Sequence, residues 1–227
     1  MNRIIIAVDD SDRSEDAVAF GGLIARATNA PVTLVHVHPW GVAAVRLCEP
    51  YFTELTKTLF ARLTPALGDV ADAESCGLPG PARVSVLQEL AERRSAGLIV
   101  VGSSHTGRHG RIYPGSTGER LLHGAPCPVA IVPVGFHATE APALRTIGCP
   151  WNGSAASDAG LELAERLASA TGASMRLIRV FEERDISFPS DIRVQLEAFT
   201  AGLRDDARQA LDDKVTDLVW SAPRRAR

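Results

Sequence analysis

Residues 98–134 hold the run of this 227-residue chain whose residue types and spacing could do chemistry. An apolar stretch ends at Val101 and Gly102, a polar glycine-rich stretch follows with Ser103, Ser104, His105 and Arg108, and Gly115-Ser116-Thr117 opens a short helical pattern before a second apolar stretch. This pattern suits an anion. A strand ending in glycine lets a ligand approach the backbone, and a helix starting with small residues turns its free amides and positive dipole end toward that ligand. Ser116 reads as a helix cap and phosphate ligand.

Other chemistries fit less well. Gly110 to Thr117 has the glycine spacing of a phosphate-binding P-loop, but Ser116 stands where that loop needs lysine, and no strand immediately precedes Gly110. Ser116 lacks the G-x-S-x-G elbow of a nucleophilic serine. His105 and His109 are four apart and would share a metal only on a helix, which Gly107 and Gly110 oppose. His36 and His38 read as structural histidines. No general base, nucleophile or metal cluster can be assembled, so binding, with slow or absent turnover, is the expected output.

The spacing of Gly102 and Gly115, the Ser116 that follows, and the tail Leu121 to Pro133 resemble the G-x-x-G-x(9)-G-[ST] nucleotide loop and closing strand of universal stress proteins. The inner glycine of that loop is replaced by His105, with Gly107 and Gly110 displaced downstream. The resemblance extends over roughly the first 135 residues. It implies that Asp9, past the first strand, and Val37, ending the second, hold the base and ribose of ATP, with or without Mg2+. It also implies that Val101, Gly102, His105, Gly115, Ser116 and Thr117 complete the site. The role implied is a nucleotide-responsive stress or regulatory protein. The alternative is a structural interaction module of the same fold that binds no nucleotide. An adenylate-transferring enzyme of a related α/β superfamily would need a Ser-Gly-Gly loop and an H-x-G-H pattern that the chain lacks.

The elements that must position these residues are legible in part. Arg3 to Val8 is the continuous apolar run of a strand buried on both faces. Asp9-Asp10-Ser11 ends it with turn and cap chemistry, and Ala17, Phe20, Leu23, Ile24 and Ala27 follow at helical spacing. The remaining pattern predicts strands at 32–38, weakly at 70–76, at 97–102 and at 128–134, with helices near 50–66, 82–95 and 116–124. Alternating strands and helices imply a doubly wound parallel sheet, and the resemblance implies the order 3-2-1-4-5. Ligands of such sheets sit beyond the carboxyl ends of the strands.

Residues 136–143 read as a linker between a domain at 1–135 and a second segment at 144–227. At an offset of 143, Ser11, Ser14, Ala25, Ala27, Thr28, Ala30, Leu34 and Val37 align with Ser154, Ser157, Ala168, Ala170, Thr171, Ala173, Leu177 and Val180. This is an incomplete second repeat: a strand at 145–149, a helix and a strand, then a helix near 190–214 and a short strand near 215–220, with no second glycine loop. Asn152 takes the place of Asp9. The apolar edge at 128–134 and the half-repeat's own open edge lead to an expected homodimer.

Composition narrows the partners. A net charge of −3 gives no field for nucleic acid or anionic lipid. Lys57 and Lys214 are the only lysines, so a phosphate site must use amides, hydroxyls or arginine. Cys48, Cys76, Cys127 and Cys149 lack C-x-x-C spacing and read as reduced thiols. No stretch is long and apolar enough for a membrane span and no leader pattern is visible, so a cytoplasmic location is expected.

Overall fold

In a computed structural model, residues 1–104, 112–139, 143–180 and 190–221 are described. The chain divides into two compact units, Met1–Ala143 and Leu144–Arg227. In the first, β1 (Ile4–Val8), β2 (Val32–His38), β3 (Ala73–Pro79), β4 (Leu98–Gly102) and β5 (Val129–Val132) form one sheet in the order β3-β2-β1-β4-β5. Every pairing is parallel. The sequence explains the centre of this sheet directly: Ile4, Ile5 and Ile6 are fully buried, as are Val32, Val35, Ile99 and Val100.

Helices α1 (Arg13–Thr28), α2 (Val42–Leu47), α3 (Glu49–Leu67), α4 (Arg83–Arg93) and α5 (Gly115–Gly124) make the crossovers. On the face covered by α4 and α5, Val84, Leu87, Leu90 and Leu121 pack with Ile5, Val35, Val37, Ile99 and Val101. α3 buries Leu59, Phe60, Leu63 and Leu67, and the Arg26 guanidinium of α1 donates to the Leu67 carbonyl.

Three features differ from the sequence pattern. β3 starts three residues later than expected, because its register is set by β2, from Val32 against Ala73 to His38 against Pro79. Its alternately exposed residues give no strong strand signal of their own. α2 is a helix with no buried residue, which apolar periodicity could not reveal.

The second unit holds β6 (Thr146–Pro150), α6 (Ala155–Thr171), β7 (Ser174–Ile178) and α7 (Ser190–Ser221), with β6 and β7 parallel. Cys149, Leu161 and Ala164 form its small core, joined by Ile147, Trp151, Met175, Leu177 and Leu218. The strand expected near 215–220 is the third difference: α7 runs through it. Val215 and Leu218 are spaced for a helix, Leu218 packs onto this core, and Lys214 Nζ lies 3.1 Å from Asp158.

The exit from β5 is tied to α1. Asp16, 2% exposed, accepts from the Gly135 and His137 amides at 3.0 and 2.9 Å and lies 2.7 Å from His137 Nδ1. Phe136 meets Phe20 edge to face, with ring centroids 5.5 Å apart.

Candidate functional site

β1 ends at Val8, and Asp9, the next residue, sits in a set of short hydrogen bonds. Its carboxylate accepts from the Ser11 amide at 3.1 Å and the Ser11 hydroxyl at 2.5 Å. The Ser14 hydroxyl accepts from the Asp9 amide and donates to the Asp9 carbonyl, both at 2.8 Å. Burial pushes the Asp9 carboxyl upward, but the Ser11 and Ser14 bonds and the charge of Arg83 outweigh it and hold the group below the usual carboxylate range. The expected helix-capping role is not seen. Asp12 occupies the cap of α1 without a side-chain bond, and Asp9 instead braces the turn before it.

Gly102 ends β4 for a reason the sequence did not suggest. A Cβ there would lie 2.7 Å from both the Cβ and the carbonyl oxygen of Arg13, so the glycine admits the start of α1 against the strand end. Beyond it the chain is stapled. Ser103, 5% exposed, donates its hydroxyl to the Tyr113 carbonyl and accepts from the Tyr113 amide, both at 3.0 Å, and the Ser104 amide donates to the same carbonyl at 2.7 Å. These bonds bring residue 113 back to the end of β4 and fix where α5 begins. Ser103 therefore braces this turn, and it also lines the cavity into which the turn opens.

Gly115 opens α5 at φ +65°, in the left-handed region that favours glycine. The preceding cap position is Pro114, which makes no side-chain cap bond. Ser116 lies one residue into the helix and is exposed, so it is not the cap. The first-turn amides of α5 have no carbonyl one turn back within their helix.

These stations meet in one cavity of about 250 Å³. Asp9, Val37, Val101, Gly102, Gly115, Ser116 and Thr117 all line it. His105, His109 and Arg108 lie outside the described residues. The apolar part of the wall includes Ala7, Val35, Val37, Leu87 and Val101, and the polar part includes Ser11, Ser104 and the start of α5. Sequence reasoning missed Arg13 and Arg83, which also line the cavity. The available signal was topological. Arg83 follows the carboxyl end of β3 as Arg13 follows that of β1, and those ends face the crevice of a doubly wound sheet.

His36 and His38 lie on the other face of β2 from Val37. His36 Nδ1 sits 3.0 Å from the Val8 carbonyl and His38 Nε2 3.1 Å from the Thr56 hydroxyl. Among the described residues no group of three His, Cys, Asp or Glu is placed to hold a metal, and no helix is long and apolar enough to cross a membrane. The four cysteines are unbridged.

The second unit repeats the Asp9 turn in bonding as well as spacing. The Asn152 amide reaches the Ser157 hydroxyl at 3.4 Å and the Ser154 amide donates to Asn152 Oδ1 at 3.0 Å. Trp151 donates to Asp158 at 2.9 Å and carries Lys214 5.8 Å above its ring.

Comparison with known proteins follows the same division. The universal stress protein family model matches residues 1–51 and 78–133. The unmatched 52–77 contain most of α3 and the start of β3. A universal stress protein of Thermus aquaticus is 31% identical over 135 residues, covering 57% of this chain and 96% of that protein. One from Mycobacterium tuberculosis is 31% identical over 112 residues, 49% of this chain, and the chain spans only 38% of that relative's length. A solved universal stress protein structure from Archaeoglobus fulgidus DSM 4304 aligns over 88% of this chain and 74% of that one, with a TM-score of 0.62 and 18% identity, a likeness of fold.

Proposed function

The chain belongs to the universal stress protein family, and from that premise we propose that its first unit is a receptor for an adenine nucleotide, ATP with or without Mg2+, acting as a nucleotide-responsive regulatory protein. The observation that supports this reading is the convergence of the ends of β1, β2 and β4 with the first turn of α5 on one cavity. In this reading Asp9 takes the ribose hydroxyls, because its Oδ2 is outside the Ser11 bonds and its low pKa keeps it an acceptor. Val37 and Val101 flank the base. The amides of Gly115, Ser116 and Thr117 and the hydroxyls of Ser116 and Thr117 hold the phosphates.

Binding is the proposed output. Asp9 is the single carboxylate among the described lining residues, and its bonds to Ser11 hold it as a structural acceptor and not a free base. Mg2+, if carried, would come with the phosphates, since no protein cluster is present for it among the described residues. We read the second unit as a partial repeat with no nucleotide site, and the β5 edge of the first unit's sheet as the surface of a homodimer.

Calorimetry with ATP tests the nucleotide reading. Two or more amide or hydroxyl bonds to a charged oxygen contribute roughly 1.5–3 kcal/mol each. Gly115→Val places a branched side chain at φ +65°, with its Cβ 3.3 Å from Ser104 Cβ. The variant should keep its fold and lose ATP binding. Unchanged affinity in it defeats the assignment.

A further inference from the structure

The described wall of the cavity carries one acid, Asp9, and two cations, Arg13 and Arg83. Neither Lys57 nor Lys214 lines it. Charge selection by these walls therefore falls to arginine, and the two arginines are held differently. The start of α1 at Arg13 is pressed against Gly102, whose missing side chain makes room for it. Arg83 opens α4 with its side chain 44% exposed, and its Nη1 lies 3.9 Å from Asp9 Oδ2. A loose pair of two half-exposed groups is worth at most about 1 kcal/mol. Exchanging it for a stronger anion costs little.

The topology supplies that anion's location. α4 and α5 cover the same face of the sheet, with Val84, Leu87 and Leu121 in one apolar cluster and Gln88 donating to the Gly124 carbonyl at 2.7 Å. Both helices descend from carboxyl ends of parallel strands. The guanidinium of Arg83 and the amides of Gly115, Ser116 and Thr117 thus line one cavity from neighbouring helix starts. A guanidinium also offers forked donors that match phosphate oxygens.

Resting on the reading that this cavity takes an adenine nucleotide, the geometry points to Arg83 as its specificity-determining residue. It releases Asp9 to the ribose hydroxyls and closes on the phosphate, so that the site selects phosphorylated nucleotides over nucleosides. Before binding, Arg83 shields the carboxylate that would otherwise repel an entering phosphate. After binding, one guanidinium has exchanged a weak anionic partner for a stronger one.

The test is calorimetry of the full chain with ATP, AMP and adenosine, adenosine being read by competition against ATP. Arg83→Gln should lower ATP affinity roughly tenfold to a hundredfold, the range of one charge-assisted contact. It should leave adenosine affinity nearly unchanged, and Arg83→Lys should recover part of the loss. Equal losses for ATP and adenosine, or no loss for either, overturn the inference while wild-type ATP binding keeps the nucleotide reading. A wild-type chain that binds none of the three overturns that reading and the inference with it. Thermal unfolding of each variant distinguishes lost binding from lost fold.

Discussion

Asp16→Ala removes a buried acceptor that ties the exit of β5 to α1. The carboxylate is 2% exposed and faces the Gly135 amide, the His137 amide and His137 Nδ1, at 3.0, 2.9 and 2.7 Å. His137 Nε2 also lies 3.6 Å from Glu15, so the ring stands between two acids of α1. Hydrogen bonds to a charged group are worth roughly 1.5–3 kcal/mol each, but Gly135 and His137 are partly exposed and can turn to water when the acceptor is lost. The three together should therefore cost about 3–4 kcal/mol and not their full sum. For a unit of this size that corresponds to a fall of roughly 10 °C in melting temperature. Asp16→Asn keeps one carbonyl acceptor in nearly the same volume and should cost roughly half as much. Hydrogen exchange followed by mass spectrometry on peptides from β1 and β4 reads the first unit alone, even where the second unfolds separately. A loss below about 0.5 kcal/mol would refute the reasoning, because it would mean that desolvating the carboxylate cancels the bonds it makes.

Three further outcomes are expected. Native mass spectrometry of ATP-saturated protein should count one nucleotide per chain, since Asn152 replaces Asp9 in the second unit; two per chain would contradict this. Light scattering at micromolar concentration should report a dimer, with β5 as the open edge of the first unit's described sheet; a clean monomer near 24.2 kDa would refute that surface. Burial, with His36 beside it, holds the His38 imidazole below its ordinary value of 6.5, so the folded state favours the neutral ring. The unfolded chain then binds the proton more readily. Stability should be full above pH 6.5 and fall as the pH drops below it, and a urea midpoint equal at pH 7.5 and pH 5.5 in wild type and His38→Gln would show that the group contributes nothing.

The sequence alone determined the centre of the sheet and the stations of the site. Apolar runs such as Ile4-Ile5-Ile6 and Leu98 to Val101 can be buried on both faces only in a parallel sheet, and strand ends in such a sheet point to one crevice. Asp9 and Gly102 were legible for that reason, Gly115 to Thr117 as a helix start built of small residues, and Val37 and Val101 only through the family resemblance; all of them line one cavity. The tertiary structure decided whatever depends on a partner distant in the chain. β3 takes its register from β2 because its own alternating, half-exposed residues specify little. Gly102 is glycine because α1 begins against it, a contact across 89 positions that no local pattern encodes. α7 continues through 215–220 because Leu218 finds the second unit's core and Lys214 finds Asp158. By residue type and spacing alone, Arg83 and Asp16 are not distinguished from ordinary helix-surface charges. What makes one a wall of the cavity and the other a buried acceptor is the approach of β1 and of the chain leaving β5, and burial of this kind is a property of packed neighbours that residue type and spacing do not carry.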